Sequence, residues 1–179
     1  MNESPDQIQP THFLDTINIR PLLKSDLAAL EWEGEYTHFR TFFSEVYQKV
    51  EKNNAKAWVA VTQDSILVGQ VFLQLVSDRL ELANGWNRAY LFSFRIKAEY
   101  RNRGLGRRMF SILEKTILEM NYTCLTLNVD RENEEAIRLY YRLGFHIAAE
   151  EPGIWTYPDH EGVWQVVNEP SWRMEKNLQ

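Results

Sequence analysis

The sequence predicts an α/β fold: a mixed, mostly antiparallel central sheet of about seven strands, flanked on both faces by about four helices. Three observations predict it. Strand-like stretches dominate positions 57–96, with only polar turns between them, as in meandering antiparallel strands. From residue 104 the apolar period becomes 3.6, with Leu105, Met109, Leu113, Ile117 and Met120 on one helical face. Strand-type and helix-type segments then alternate, the pattern of strand–helix–strand units.

The elements follow in order. "INIRPL" from Ile17 alternates apolar and polar residues and reads as a strand that Pro21 ends. "SDLAAL" reads as a helix capped by Ser25, with Asp26 in its first turn. Gly34 separates it from a second helix, marked by Phe39, Phe42 or Phe43, Val46 and Val50. Residues 57–62 and 66–75 form a hairpin around the turn "QDS". A strand over 89–96 follows the polar loop "ELANGWNR". After the long helix, "CLTLNV" is a strand. Asn133 caps a short helix, Glu134 and Glu135 favour its positive end, and Gly144 stops it as a left-handed cap. "FHIAAE" and "SWRMEK" are the last strands. Residues 150–170 form a polar, aromatic connection, long enough to act as a lid. Residues 1–14 read as a loose tail and 15–179 as a single domain.

Composition narrows the function. A net charge of −5 argues against general nucleic-acid binding, which needs a basic surface. Cys124 is the sole cysteine, so neither an internal disulfide nor a thiolate-based zinc site is expected, and no metal is. The start "MNESPDQIQP" lacks the basic and apolar regions of a secretory signal, and no apolar run approaches the ~20 residues that span a bilayer. The expected setting is therefore cytoplasmic, with no membrane partner.

Against that acidic background "RNRGLGRR" is exceptional. Arg101, Arg103, Arg107 and Arg108 surround Gly104 and Gly106 between a strand and a helix start. A helix start offers free amides and the positive end of a dipole, and glycines let an anion reach the main chain. Cations there are unfavourable on their own, and no carboxylate follows Glu99 in the loop or first turn, so a bound phosphate is the expected partner. The alternative is a plain turn with a solvated basic helix start. The segment is neither a G-x-x-x-x-G-K-[ST] loop nor a full G-x-G-x-x-G, because Met109 takes the place of the third glycine.

"FRIKAEYRNRGLGRRMFSILE" resembles the acetyl-CoA motif R/Q-x-x-G-x-G/A of the GCN5-related N-acetyltransferases, here Arg101-Asn102-Arg103-Gly104-Leu105-Gly106. "NEEAIRLYYRLGF" is similar to the family's N-x-x-A-x-x-L-Y-x-x-x-G-F segment, at Asn133, Ala136, Leu139, Tyr140, Gly144 and Phe145. With the family-like opening "INIRPLLKSDLAAL" and final strand "SWRMEK", the resemblance runs from Ile17 to Lys176. It implies acetyl transfer from acetyl-CoA to a primary amine by direct attack in a ternary complex. It also implies that the backbone of Phe94, Arg95 and Ile96 pairs with the pantetheine arm. Amides from Arg101 through Asn102, Arg103, Gly104, Leu105 and Gly106 to Arg107 would hold the pyrophosphate. Asn133 would touch the cofactor arm or serve as a cap alone. Tyr140 would protonate the departing thiolate, with Tyr141 taking the packing role, and Asn128 would be a polar strand residue. The position usually held by proline is Ala98.

The strand over 89–96 carries no Asp or Glu to act as general base. Glu33, Glu35 and Glu81 are candidates, beside a water chain. The acceptor site would form between "EWEGEYTHFR" and "EEPGIWTYPDHEGVWQ". Glu31, Glu33, Glu35, Trp32 and Tyr36 lie in the first; Glu150, Glu151, Trp155, Tyr157, Asp159, Glu161 and Trp164 lie in the second. That mixture favours a cationic acceptor, such as a polyamine, aminosugar, amino-acid-like amine or peptide amine. A non-catalytic acyl-CoA sensor on the same scaffold is the alternative function. The resemblance allows a homodimer, though no stretch marks an interface.

Overall fold

The computed structural model describes residues 13–178. The strands are β1 (Ile17–Pro21), β2 (Ala55–Thr62), β3 (Leu67–Gln74), β4 (Arg88–Ile96), β5 (Cys124–Asp130), β6 (His146–Glu151), β7 (Ile154–Pro158), β8 (Trp164–Asn168) and β9 (Ser171–Asn177). The helices are α1 (Arg40–Glu51), α2 (Leu105–Glu119) and α3 (Glu134–Arg142). Seven strands form one sheet in the order β1-β2-β3-β4-β5-β9-β6. Its pairings are antiparallel except β4 with β5, because α2 carries the chain back across the sheet between them. The predicted mixed sheet is therefore present.

Each face of the sheet buries its own core. Leu105, Met109, Leu113 and Ile117 of α2 pack on Val71, Leu91 and Leu125. Opposite, Phe43 and Val46 of α1 cover Val59 and Phe72. The expected helix over "SDLAAL" is instead a run of short 3-10 turns between Lys24 and Phe39, which makes the fourth helical segment. Ser25 is not its cap, since Leu23 takes that place. Trp32 and Glu33 have left-handed φ of 46° and 55°, which a continuous α-helix cannot hold.

Asp26 fixes this turn. Its carboxylate takes both arms of the Arg20 guanidinium, at 2.7 and 2.9 Å, and the Leu23 amide at 2.8 Å. Arg20 and then the Leu23 amide hold the carboxyl below its usual range against the opposing effect of burial. Stabilisation from a depressed pKa is complete above the unfolded value near ~3.9 and disappears as pH falls through the folded value. Asp26→Asn is expected to cost about 1–3 kcal/mol at pH 7 and to flatten the loss of stability in acid, read by urea unfolding stepped down from pH 5.

The tail expected over 1–14 falls outside the described residues up to residue 12. Phe13 and Leu14 open the 3-10 turn Phe13–Thr16 and pack partly buried against the α2-side core. The segment read as an aromatic lid is a β7–β8 hairpin. Asp159 builds its turn, accepting the amides of Glu161 and Val163 at 2.9 Å each and the Gln165 side chain at 2.8 Å. The Thr41 hydroxyl of α1 donates to the Asp159 carbonyl at 3.0 Å, which docks the hairpin on the α1 face.

Candidate active site

β4 and β5 pair only over Arg88–Leu91 against Cys124–Leu127. Beyond Leu91, β4 is paired with β3 alone, and β5 continues with β9 alone. A notch thus opens between two neighbouring strands, each with an unpaired backbone edge. A bulge sits at the same point. Gln70 faces Arg95 and Phe72 faces Phe92, so one β3 residue spans two on β4, and Ser93 has φ 50°. The extra residue reverses the facing of the rest of the strand. Phe94 and Ile96 turn toward α2. Arg95 turns to the α1 face, beside Tyr36 and Phe39.

The glycine loop closes the notch on the α2 face. Asn102 and Gly104 have φ of 57° and 87°, and Gly104 caps α2 in the left-handed region. Arg108 is the first intrahelical donor, to the Gly104 carbonyl at 3.0 Å. The amides of Leu105, Gly106 and Arg107 precede it and are the bare ones. A Cβ on Gly106 would stand 3.3 Å from Ile96 Cδ1 and 3.8 Å from the Phe94 ring, so helix start and strand nearly touch. The arginines are less uniform than their spacing suggests. Arg101 donates to the Ile96 carbonyl at 2.8 Å, Arg103 lies 3.4 Å over the Phe13 ring, and Arg108 donates to the Leu14 carbonyl. Arg107 is exposed. Backbone amides are therefore the anion-binding groups the loop presents most directly.

Tyr140 of α3 is buried at 8% exposure, edge-on to Phe145 at 5.7 Å. Burial, with Tyr90 as an electrostatic neighbour, pushes its phenol well above the usual value. Burial likewise pushes Tyr90 up to about 12. The expected division between the adjacent tyrosines is corrected in one respect. Tyr141 is half exposed, so Tyr140 both packs and carries the buried hydroxyl. Asn133 is a cap, its side-chain oxygen accepting the Ala136 amide at 3.1 Å. The Asn128 side-chain oxygen is buried without a partner among the described residues.

Two base candidates, Glu33 and Glu35, line a pocket of about 280 Å³ together with Trp32, Lys97 and Arg101. Glu33 is paired with Lys97 at 2.9 Å. Glu35 lies beside the Tyr36 phenol and, after burial, helps to raise its pKa. Glu81 is elsewhere, in an ion network with Arg79 at 2.7 Å, and its own amide and Arg79 hold its carboxyl low. A weakly basic carboxylate is poorly suited to deprotonate an ammonium.

The acidic acceptor surface read from sequence is largely neutralised. Glu31 binds Arg40 and Thr37, Glu150 binds Arg131, and Glu151 is buried between Arg79 and Arg173. Tyr157 is buried and meets Phe39 at 4.8 Å, Trp155 stacks on Phe39 at 6.1 Å but is itself exposed, and Trp164 points outward at 69% exposure. Sequence reasoning missed Tyr90, Gln70 and the Ser93 bulge. The small polar Ser93 inside "LFSFRI" is the one local sign of the bulge. Among the described residues no cluster of three His, Cys, Asp or Glu could hold a metal, and no helix is long and apolar enough to cross a membrane.

The profile of the acetyltransferase (GNAT) family matches residues 24–145. The chain belongs to the GNAT family. The match spans the 3-10 turns, the notch, the glycine loop and α3. The chain is 36% identical over 63 residues to a 5-NmdU N-acetyltransferase of Pseudomonas phage PaMx11, a match covering 35% of this chain and 43% of that protein. Among the solved structures that share the fold are two N-acetyltransferases. The ribosomal-protein-S18-alanine N-acetyltransferase of Escherichia coli has a TM-score of 0.67 at 23% identity, over 91% of this chain and 94% of that one. The PaiA N-acetyltransferase of Thermoplasma acidophilum, in complex with coenzyme A, has a TM-score of 0.65 at 20% identity, over 90% and 98%.

Proposed function

We propose that this chain transfers the acetyl group of acetyl-CoA to a primary amine by direct attack in a ternary complex. One observation carries the reading: a notch between β4 and β5 whose mouth is lined by the bare amides of Leu105, Gly106 and Arg107. The loop amides from Arg101 to Arg107 would take the pyrophosphate, and the β4 edge of Phe94, Arg95 and Ile96 would take the pantetheine arm once Arg101 releases the Ile96 carbonyl. A β4 amide would polarise the thioester carbonyl. The amine nitrogen bonds to the carbonyl carbon, the carbon–sulfur bond breaks, Tyr140 gives its proton to the sulfur, and the proton the nitrogen sheds as the amide forms passes through water to restore Tyr140. Glu35 or Glu33, directly or through water, would remove the ammonium proton before attack.

The acceptor is an amine that arrives as a cation, of the polyamine, aminosugar, amino-acid-like or peptide class. Its contacts would be the aromatics Tyr36, Trp155 and Tyr157 more than the carboxylates, of which Glu31, Glu33, Glu150 and Glu151 are engaged by arginine or lysine. The relatives do not choose among these classes, since one name specifies a ribosomal-protein alanine and another 5-NmdU.

Gly106→Val is expected to weaken acetyl-CoA at least tenfold by calorimetry, with the melting temperature held within a few degrees, because the new side chain enters the space beside Ile96 and Phe94. Absence of any heat with acetyl-CoA in the unaltered protein would sink the proposal. A second reading, a non-catalytic acyl-CoA sensor, draws on the strand over 89–96, which carries no carboxylate. Binding of acetyl-CoA without CoA release on any amine would establish that second reading.

A further inference from the structure

We propose that Arg95 recognises a negatively charged oxygen, carboxylate or phosphate, carried by the acceptor molecule alongside its amine. The inference rests on the acetyl-transfer reading above and narrows its acceptor.

The Ser93 bulge gives Arg95 the opposite face of β4 from Phe94, Ile96 and the glycine loop. Donor and acceptor thus approach the notch from opposite sides, and Arg95 stands on the acceptor side. Its guanidinium carbon lies 4.2 Å over the Tyr36 ring and 5.2 Å over the Phe39 ring. A guanidinium held against aromatic rings keeps its planar N–H groups as donors, and that fork matches a carboxylate or phosphate. Arg95 Nη1 is buried, and among the described residues no carboxylate, carbonyl or side chain accepts from it. Glu35 and Glu169 act on it electrostatically without forming an ion pair.

This isolation is unusual within the chain. Arg20, Arg40, Arg79, Arg88, Arg131, Arg138 and Arg173 each have a carboxylate within 4.0 Å. Arg142 and the arginines of the loop are exposed to water. A guanidinium that burial has largely desolvated, with no carboxylate against it, is costly to keep, and a ligand anion would offset that cost. Other unpaired groups on the same face complement an amine-bearing anion. Among the described residues Gln70, the β3 partner of Arg95, has a buried side-chain oxygen without a donor, and the Trp32 indole N–H is buried without an acceptor. Trp32 stands edge-on to Tyr36 at 5.3 Å, next to the Arg95 stack. Two donors and one acceptor, all unsatisfied, suit a ligand with anionic oxygens and an N–H group.

The test uses matched acceptors: glycine against glycinamide, and 2-aminoethyl phosphate against 2-aminoethanol. The full chain is expected to favour the anionic member of at least one pair by tenfold or more in kcat/KM, and the favoured pair separates carboxylate from phosphate. Arg95→Met is expected to bring that ratio to near one, a readout that cancels any general loss of activity. Arg95→Lys should keep part of it, since a point charge lacks the fork. The melting temperature of Arg95→Met should equal or exceed that of the unaltered chain, because an orphan charge is removed. Equal ratios in the unaltered chain, or a ratio unchanged by Arg95→Met, overturn the proposal. If no acceptor turns over, calorimetry of the same four probes on the CoA-bound protein decides, and absence of an Arg95-dependent preference overturns it. Acetyl-CoA affinity, measured separately, tests the transfer reading, so the two failures are distinguishable.

Discussion

Tyr140→Phe is expected to lower kcat about 100-fold or more, the scale of a lost general acid, with little change in acetyl-CoA affinity. Phenylalanine keeps the ring, its edge contact with Phe145 and the buried volume. Only the hydroxyl is lost, so stability should hold and release of CoA thiol should slow. The pH dependence comes from the raised pKa. A general acid works while protonated and fails above its pKa, and burial has moved that limit upward. The unaltered protein should therefore show no loss of kcat from this group up to the alkaline end of its stable range. Tyr90→Phe is the control, because its phenol is the electrostatic neighbour and is itself raised to about 12. A larger loss from Tyr90→Phe than from Tyr140→Phe would transfer the acid role to Tyr90. Full activity in both variants would remove the phenols from the mechanism.

How much of this was legible in the sequence depends on the range of the interaction that fixes each residue. The strands of the meander, the long helix from Gly104 and the capped helix after Asn133 are written in local periodicity and caps. The structure places them within a residue or two of expectation. The phosphate loop was legible for the same reason, since glycine, arginine and helix start are contiguous. The facing of Arg95 was not. Simple alternation from Tyr90 through Phe92 would put Phe94 on the α1 face, and only the β3 register shows that Ser93 inserts a residue. The 3-10 turns after Pro21 also escaped, because Asp26 binds Arg20 across six positions instead of continuing an α-helix. The β7–β8 hairpin was read as a loop because its turn is built by the Asp159 side chain, not by an Asn-Gly pair. The carboxylates near 31 and 151 looked free only because their arginines are distant in sequence.

Glu151 shows what that distance conceals, and Glu151→Ala is expected to be the most destabilising of the substitutions considered. The carboxylate is buried, with a 7% exposed side chain. It takes Arg79 Nη2 at 2.8 Å on both oxygens and Arg173 Nη1 at 3.1 Å. Arg79 follows β3, Glu151 ends β6 and Arg173 lies on β9 opposite Asn128, so one carboxylate ties three segments beside the notch. Removing it leaves Arg173, 18% exposed, without its closest partner, while Arg79 is half exposed and keeps water and Glu81. Breaking a buried pair costs about 3–5 kcal/mol, and the exposure of Arg79 puts the expectation at the low end, about 3 kcal/mol. For a chain of this size that is a drop of about 6–12 °C in melting temperature. Glu151→Gln, which still offers one carbonyl oxygen, should lose less. Because Tyr90 feels both Arg79 and Glu151, the substitution should disturb the notch as well as the fold. If Glu151→Ala melts within 2 °C of the unaltered protein, the network is a surface feature, and the carboxylate returns to the acceptor side, where the sequence alone had put it.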